Sequence, residues 1–177
     1  KEIIINHFGQ TYKEINICYS VEDRPLGTGG AIKQALDFCR SDDVLVVNGD
    51  TYFTVNIFEM GKIFRELHAD IMLAVKKTHD FSRYGSIDIN DQLITCFKEK
   101  CYCKEGYISG GVYIFKRDIL ADYPLEFSIE KDFMEKNVNK LKMYAYKSDK
   151  PFIDIGIPED YKKAQTFLNN INVESGC

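Results

Sequence analysis

The sequence predicts an α/β domain built on a mixed, mostly parallel sheet, and three observations lead to this fold class. As far as Lys77, segments with the two-residue period of strands alternate with segments of helical period. Beyond that residue, strand-like segments follow one another with little room for helices between them. The 177 residues are 45% hydrophobic and 28% charged, which is typical of one globular domain with a sizeable core.

The first half of the chain is predicted to follow the order β-α-β-α-β. A helix is expected over 29–40, where the apolar residues share one face. A second helix is expected after Asn56, because Glu59 three residues later completes a capping box. The other periodic or wholly apolar segments are expected to be strands: 15–21, 44–47 and 70–77. This order implies a parallel sheet with helices on both faces, and a wholly apolar strand is typical of its covered interior.

The second half is predicted to add antiparallel strands at the edge of this sheet. A helix is expected over 128–139, because Ser128 can cap it and Glu130 and Asp132 lie in its positive first turn. Pro158 suits the first turn of a last helix. The remaining periodic segments are expected to be strands: 85–89, 93–98, 107–115, 142–146 and 152–155.

The charge balance and the short apolar runs argue against several classes of protein. Lys and Arg number 23 against 27 Asp and Glu, and there is no basic run that would favour nucleic acid as a partner. The longest apolar runs, such as 71–75, are too short to span a membrane. The chain starts at Lys1 with no charged-then-apolar leader, so we expect a cytoplasmic protein. A phosphorylated small molecule remains possible, because a metal ion can bridge carboxylates to phosphates.

The cysteines are expected to be reduced thiols. They are Cys18, Cys39, Cys96, Cys101, Cys103 and Cys177. The first three lie in apolar periodic segments and are predicted to be small core residues. Zinc binding by the cluster from Cys96 to Cys103 is the alternative, but the cluster lacks the paired short spacings of structural zinc sites.

A glycine-rich segment before the first predicted helix could bind a ligand. The segment from Pro25 to Ala31 contains three glycines, which let the backbone approach a ligand, and the helix N-terminus offers free N–H groups. Its spacing does not fit a dinucleotide fingerprint, and it lacks the Gly-Lys-Ser/Thr of a Walker loop. From these residues alone, a structural glycine turn remains an open alternative.

Two carboxylates, Asp50 and Asp154, are predicted at the ends of apolar strands. Open α/β sheets bind ligands at the carboxyl ends of their strands, and a buried Asp usually has a partner or a metal. Together the two side chains could hold one Mg²⁺, which takes one or two carboxylates and completes its shell with waters and phosphates. The alternative for Asp50 is that it only caps a turn.

A fourth segment pairs Glu99 and Lys100 with the Gly-rich strand that begins at Ser109. A Glu beside a Lys could hold a sugar hydroxyl and its phosphate. The alternative is a solvated Glu-Lys edge beside a bulged strand.

These segments occur together and in this order, and the set resembles the sugar-phosphate nucleotidyltransferases. Residues 22–31 resemble that family's nucleoside-binding loop, 48–50 its metal-binding Gly-Asp, and 154–161 its second metal motif. Its sugar-side motifs have three counterparts: Arg83-Tyr84-Gly85, Glu99-Lys100 and Ser109-Gly110-Gly111. The resemblance covers nearly the whole chain, and it is strongest to the bacterial members that make GDP-heptose.

The resemblance implies a three-layer α/β/α, Rossmann-like (GT-A-like) fold over residues 1–177 as a single domain. It also implies that Asp50 and Asp154 bind Mg²⁺ and act in catalysis with Lys100. The implied nucleotide-binding residues are Glu22, Gly27, Thr28 and Gly29. The implied sugar-binding residues are Gly85, Glu99, Lys100 and Gly110.

The position of Glu22, where the family contacts the base edge, favours GTP as the nucleotide. Guanine presents N1–H and its exocyclic amine as adjacent donors, and one carboxylate can accept from both. Uracil and thymine are better matched by an amide.

The resemblance is incomplete in two places. Members of the family begin with a strand and a Gly-rich loop that wraps the triphosphate. The loop carries an Arg and is followed by a Lys-Pro pair. Residues 1–177 contain no such loop. Ile157 also stands where Thr is common in the second metal motif. We therefore expect an N-terminally truncated version of the fold that is inactive by itself.

The implied reaction joins a nucleoside triphosphate to a sugar 1-phosphate and gives an NDP-sugar and pyrophosphate for surface polysaccharide synthesis. GTP and heptose 1-phosphate are the favoured substrates, and Mg²⁺ is the expected cofactor. No nucleic acid or membrane partner is expected, and a homo-oligomer is possible. The alternative is a non-catalytic nucleotide-sugar binding or scaffold protein derived from such an enzyme.

Overall fold

The computed structural model describes the backbone of residues 1–174 and the side chains of residues 1–168, so Cys177 lies outside it. The helices are α1 (Glu2–Phe8), α2 (Gly27–Leu36), α3 (Ile57–Glu66), α4 (Glu135–Asn137) and α5 (Pro158–Glu174), with a 3₁₀ helix at Arg117–Leu120 and a π-helical segment at Ile129–Met134. The strands are β1 (Thr11–Tyr12), β2 (Ile15–Asn16), β3 (Asp43–Val47), β4 (Thr51–Phe53), β5 (Ile71–Phe81), β6 (Ser86–Asn90), β7 (Leu93–Lys98), β8 (Cys103–Lys116), β9 (Met143–Lys147) and β10 (Phe152–Asp154). Within these residues, no helix is long and apolar enough to cross a membrane.

The chain divides into two compact units. The first combines Lys1–Val44 with Lys116–Asn137, and the second combines Leu45–Phe115 with the chain from Val138 onward. In the first unit, α2 packs against the π-helical segment. The nucleotide-binding loop predicted from the sequence therefore belongs to the first unit, and the predicted metal-binding and sugar-binding residues belong to the second.

The main sheet has the strand order β3-β8-β5-β9-β7-β6, and β6 also pairs with β8. The α/β class with a mixed sheet is confirmed, but the expectation of a mostly parallel sheet is wrong for the pairings described. β5 is parallel to β9, whereas β5–β8, β6–β7 and β7–β9 are antiparallel. The reason is that β6, β7 and β8 follow β5 without a helical crossover, and parallel neighbours need a crossover of a dozen or more residues.

The expectation that the 44–47 strand is covered on both sides is also wrong. In the described sheet, β3 is the strand at one end of the order. Leu45 is 41% exposed and Val47 is 54% exposed. Leu45 and Val47 are two residues apart and therefore share one face of β3, so the described residues leave that face uncovered.

The core of the second unit forms between β5 and α3. The side chains of β5 from Ile71 to Val75 are fully buried, and Met60 and Phe64 of α3 pack in the same core. The predicted cap of this helix is confirmed, because the Asn56 side chain accepts a hydrogen bond of 3.1 Å from the Glu59 N–H. The cap and the apolar face together fix where α3 begins and which side it buries.

Three other local predictions differ from the structure. The strand expected over 15–21 ends at Asn16, because its hairpin partner β1 is only two residues long and pairs with Ile15 and Asn16. Positive φ angles at Lys13 and Glu14 form the turn of this hairpin. Cys18, expected in the core, is consequently exposed, and Cys39 and Cys96 are only partly buried. The helix expected over 128–139 begins as a π-helical segment, although Ser128 does cap it by accepting from the Lys131 N–H.

Candidate functional site

The short strand β4, which sequence patterns did not indicate, places Asp50 beside Asp154. β4 pairs antiparallel with β10, and the register sets Asp154 opposite Thr51, the residue after Asp50. The Ile155 N–H also donates a 2.9 Å hydrogen bond to the Asp50 carbonyl. The two acidic residues therefore occupy neighbouring positions at one end of a two-stranded sheet.

The surroundings of these carboxylates fit a hydrated divalent cation. Asp50 is exposed and Asp154 is partly buried. Carboxylate oxygens at a solvent-accessible site are the ligand type that Mg²⁺ prefers, and the ion keeps several waters or phosphate oxygens in its shell. The Gly156 N–H donates to Asp154 Oδ1 at 2.7 Å, which fixes one oxygen of that carboxylate. Among the side chains of residues 1–168, no three His, Cys, Asp or Glu cluster as a metal site, so an ion held by Asp50 and Asp154 would need non-protein ligands to complete its shell.

The Asn48-Gly49-Asp50 segment lies against the predicted sugar-side glycines. The Asn48 N–H donates a 2.8 Å hydrogen bond to the carbonyl of Gly111. Gly111 has a φ of +71°, and a Cβ there would lie 3.1 Å from the Asn48 side chain. A residue with a side chain would therefore be strained at this position and would push on Asn48.

Gly110 has a packing role that the sequence did not indicate. A Cβ at Gly110 would lie 2.1 Å from the Phe53 ring and 3.1 Å from the Ala74 carbonyl oxygen. Phe53 belongs to β4 and is part of the core of the second unit. Packing against Phe53 and Ala74 therefore requires glycine at position 110, whether or not Gly110 also binds the sugar as predicted.

Replacing Gly110 by alanine should destabilise the chain by about 1–3 kcal/mol, because overpacking a well-packed core costs that much. Denaturant unfolding of Gly110→Ala against the unaltered chain measures this difference. Gly49→Ala is the matched control, since a Cβ at Gly49 meets no atom within 4 Å. Equal unfolding free energies for the two variants would contradict the packing role.

The other sugar-side residues meet where β6 and β7 pair. Ser86 is the register partner of Lys98, and a Cβ on Gly85 would lie 2.6 Å from the Lys98 carbonyl oxygen. β7 ends at Lys98, so Glu99 and Lys100 follow directly and are exposed at the same strand end as Gly85. The structure therefore brings these three predicted sugar-binding residues together.

In the first unit, the glycine-rich loop is shaped by Phe127. Gly27 has a φ of +72°, and its Cβ would lie 2.6 Å from the Phe127 carbonyl oxygen. The Gly29 N–H donates to the same oxygen at 3.0 Å, and Thr28 Oγ1 accepts from the Ile129 N–H at 3.0 Å. The glycines are needed structurally, because the loop at Gly27 to Gly29 approaches the segment from Phe127 to Ile129 closely. This packing is compatible with the predicted nucleotide-binding role of the loop.

Glu22 closes the turn that leads into this loop. Its Oε2 accepts a hydrogen bond of 2.8 Å from the Leu26 N–H. The contact holds the carboxylate next to the start of α2, where the sequence resemblance places the nucleoside base. A capping role of this kind was not expected from the sequence, because Glu22 and Leu26 belong to no periodic pattern.

Comparison with known proteins identifies the family. The model of the nucleotidyl transferase family matches residues 1–171. D-glycero-alpha-D-manno-heptose 1-phosphate guanylyltransferase of Aneurinibacillus thermoaerophilus is 45% identical over 171 residues, which are 96% of this chain and 74% of that protein. The enzyme of the same name from Campylobacter jejuni is 42% identical over 163 residues, or 90% of this chain and 71% of that protein.

Solved structures agree with the sequence comparisons. The crystal structure of HddC from Yersinia pseudotuberculosis superposes with a TM-score of 0.81 at 36% identity and covers 94% of this chain and 74% of that one. Its complex with GMP-PN gives a TM-score of 0.78 at 35% identity, with the same coverage. The resemblance inferred from the motifs is thus confirmed over most of the chain, and the chain belongs to the nucleotidyl transferase family.

Proposed function

We propose that this chain carries out, as part of a nucleotidyltransferase, the transfer of a guanylyl group from GTP to D-glycero-α-D-manno-heptose 1-phosphate. The names of the two relatives above support this choice of nucleotide and sugar. The complex of a related structure with GMP-PN supports a guanine nucleotide as ligand. The observation that carries the proposal is the pairing of β4 with β10, which puts Asp50 next to Asp154.

In the proposed reaction, a phosphate oxygen of the sugar 1-phosphate attacks the α-phosphorus of GTP in line. The new bond joins that oxygen to the α-phosphorus, the bond from the α-phosphorus to the bridging β-oxygen breaks, and pyrophosphate leaves with the electron pair. Lys100 holds the attacking phosphate, while Gly85, Glu99 and Gly110 line the sugar site. Asp50 and Asp154 would hold Mg²⁺, which supplies positive charge against the phosphate oxygens.

The loop of the first unit is proposed to hold the nucleoside. Gly27, Thr28 and Gly29 open α2, and the positive end of a helix favours an anion or polar ring beside it. Glu22 is proposed to accept from the guanine base edge. A magnesium requirement, a cytoplasmic location, a role in surface polysaccharide synthesis and possible homo-oligomers belong to the same proposal.

Changing Glu22 to glutamine should reduce the preference for GTP over UTP or dTTP. The carboxamide NH₂ replaces an acceptor where guanine presents donors, and a hydrogen bond to a charged partner is worth roughly 1.5–3 kcal/mol. We therefore expect a change of about tenfold or more in relative affinity. Competition binding of the three nucleotides measures it, and an unchanged preference would remove Glu22 from the base site. Asp23→Asn, one residue along, is the matched control.

The alternative function, a non-catalytic protein that binds nucleotide sugars, predicts binding without turnover. The assay for the proposed function is pyrophosphate release from GTP with Mg²⁺ and heptose 1-phosphate, compared with mannose 1-phosphate. It uses a polypeptide in which the family's Gly-rich loop is joined ahead of residues 1–177. Release that depends on the heptose supports the enzyme, whereas heptose-nucleotide binding without release supports the alternative.

A further inference from the structure

A side chain of α2 that has no role in the function proposed above, Gln34, binds the segment just before Glu22. Its amide nitrogen Nε2 donates to Ser20 Oγ at 3.0 Å and to the Val21 carbonyl oxygen at 2.9 Å. A carbonyl oxygen only accepts, so the NH₂ group of the amide must face it. The Val21 carbonyl belongs to the peptide group that joins Val21 to Glu22. Gln34 therefore holds the backbone directly at Glu22.

The Glu22 carboxylate is held from the start of the same helix. Its Oε2 accepts a hydrogen bond of 2.8 Å from the N–H of Leu26, the N-cap residue of α2. Leu26 is itself firmly placed, because its side chain is 3% exposed and its carbonyl accepts from the Phe127 N–H at 3.0 Å. Gln34 comes eight residues after Leu26, a spacing that keeps both on one side of the helix. One helix therefore fixes Glu22 twice, at the backbone and at the carboxylate.

The segment that these bonds hold lies outside regular secondary structure. In the described part of the chain, residues 17–22 belong to no helix or strand. Val21 and Glu22 are exposed, and with Ser20 they line a cavity of about 320 Å³ that faces α1. Exposed segments of this kind are among the parts of a protein that open most easily. The hydrogen bonds from α2 therefore have a large share in fixing the conformation around Glu22.

The bond from Leu26 still leaves Glu22 able to bind a ligand. An ionised carboxylate offers about four lone-pair sites on its two oxygens, and the Leu26 N–H occupies one of them. The other sites can accept from the two adjacent donors of a guanine edge. Their direction depends on the backbone at Glu22, which Gln34 holds, and on the bond to Leu26.

We propose that Gln34 is a positioning residue for nucleotide selection, which fixes the peptide group before Glu22 so that the carboxylate meets the guanine edge. The inference rests on the proposed function, in which Glu22 accepts from the base. Gln34 does not touch the nucleotide and acts only through Glu22. One neutral hydrogen bond corresponds to about a two- to tenfold change in an equilibrium constant. The effect of losing Gln34 should therefore be smaller than that of losing the Glu22 carboxylate itself.

The test uses the polypeptide in which the family's Gly-rich loop is joined ahead of residues 1–177, and the variant Gln34→Met. Met is unbranched and close to Gln in helix propensity, but it has no N–H donor in its side chain. The matched control is Gln92→Met, at an exposed glutamine of the second unit. A second variant, Ser20→Ala, removes one of the two acceptors of the Gln34 amide. Circular dichroism and urea unfolding establish that each variant is folded.

The first readout is amide hydrogen exchange at Leu26 by NMR without nucleotide, because this N–H donates to Glu22 Oε2. The second is the preference for GTP over UTP in competition binding. We expect Gln34→Met to speed exchange at Leu26 several-fold and to reduce the preference about two- to tenfold. Ser20→Ala should act in the same direction to a smaller extent, whereas Gln92→Met should match the unaltered polypeptide in both.

A double variant separates action through Glu22 from a general loosening of the loop. When Glu22→Gln is already present, Gln34→Met should change the preference no further, because the carboxylate that Gln34 positions is gone. Residues that act as one unit are non-additive in this way. A purely structural role of Gln34 would instead lower the preference by the same factor in both backgrounds.

Unchanged exchange at Leu26 in Gln34→Met, or an equal change in Gln92→Met, would overturn the positioning role. Faster exchange with an unchanged preference for GTP, or additive effects in the double variant, would overturn the claim that the positioning serves nucleotide selection. An unchanged preference in Glu22→Gln, with faster exchange at Leu26 in Gln34→Met, would contradict the proposed base site and leave the hold of Gln34 on this segment supported. Failure of the inference and failure of the proposed function are therefore distinguishable.

Discussion

Residues 1–177 on their own should release no measurable pyrophosphate from GTP, Mg²⁺ and heptose 1-phosphate. They contain no Gly-Gly-x-Gly-Thr-Arg stretch, the loop that the sequence resemblance implies would supply backbone amides and an Arg to neutralise the triphosphate. Removing one preorganised donor typically costs about 10²–10³ in rate. Loss of the whole loop should therefore place turnover below detection.

The measurement is a coupled pyrophosphate assay on the purified chain from Lys1 to Cys177, after circular dichroism has shown that it is folded. The positive control is the same chain with the family's Gly-rich loop joined ahead of Lys1. A folded but inactive chain together with an active control is the expected outcome. Clear turnover by residues 1–177 would mean that the loop is dispensable and that the proposed mechanism is wrong.

The second large effect is expected from Asp50→Asn and Asp154→Asn. Each change removes a negative charge from a site proposed to hold one cation, and the cation is proposed to neutralise the phosphates during transfer. In an active polypeptide that includes the Gly-rich loop, we expect kcat to fall by about 10²–10³, the cost of losing an electrostatic contact to the transition state. The KM for heptose 1-phosphate should change far less, because the sugar is proposed to bind at Gly85, Glu99 and Gly110.

Asp149→Asn is the matched control for these variants, because Asp149 is an exposed carboxylate of the second unit that precedes β10, at the end of the β4–β10 pair opposite Asp154. It should leave both kcat and KM unchanged. A Mg²⁺ titration adds a second criterion, since the two site variants should need more Mg²⁺ for half-maximal rate. A kcat within about twofold of the control would be far smaller than the effect expected for an electrostatic contact. That result for the two site variants would contradict the proposal that Asp50 and Asp154 bind the cation.

Features that depend on local patterns could be predicted from the sequence. β7 has the predicted bounds, from Leu93 to Lys98, because alternation and flanking turn residues define it locally. The cap at Asn56 was predicted for the same reason, since its partner Glu59 is three residues away. The family resemblance also rested on short sequence motifs, each of which can be recognised without knowledge of the fold.

Features that depend on distant partners could not be predicted. β4 is three residues long and has no readable period, and it is a strand because β10, about a hundred residues later, pairs with it. Phe127 and Phe53 explain why Gly29 and Gly110 are glycines, but the sequence does not show which aromatic ring meets which glycine. The mostly parallel sheet was predicted wrongly because alternation indicates strands without indicating the direction in which they pair.

The edge position of β3 has a consequence for how the polypeptide behaves in concentrated solution. An apolar strand at the border of a sheet is a template on which another chain can extend the sheet, and charged residues or proline on such strands usually prevent this. The exposed side chains of this strand include Leu45 and Val47, and its single charged residue, Asp43, stands at its first position, so Val44 to Val47 contains neither a charge nor a proline. Residues 1–177 should therefore associate with themselves as their concentration rises, and light scattering should increase at concentrations where a well-protected domain stays monomeric. Because of the position of this one strand, refolding and storage of residues 1–177 should be carried out at low protein concentration.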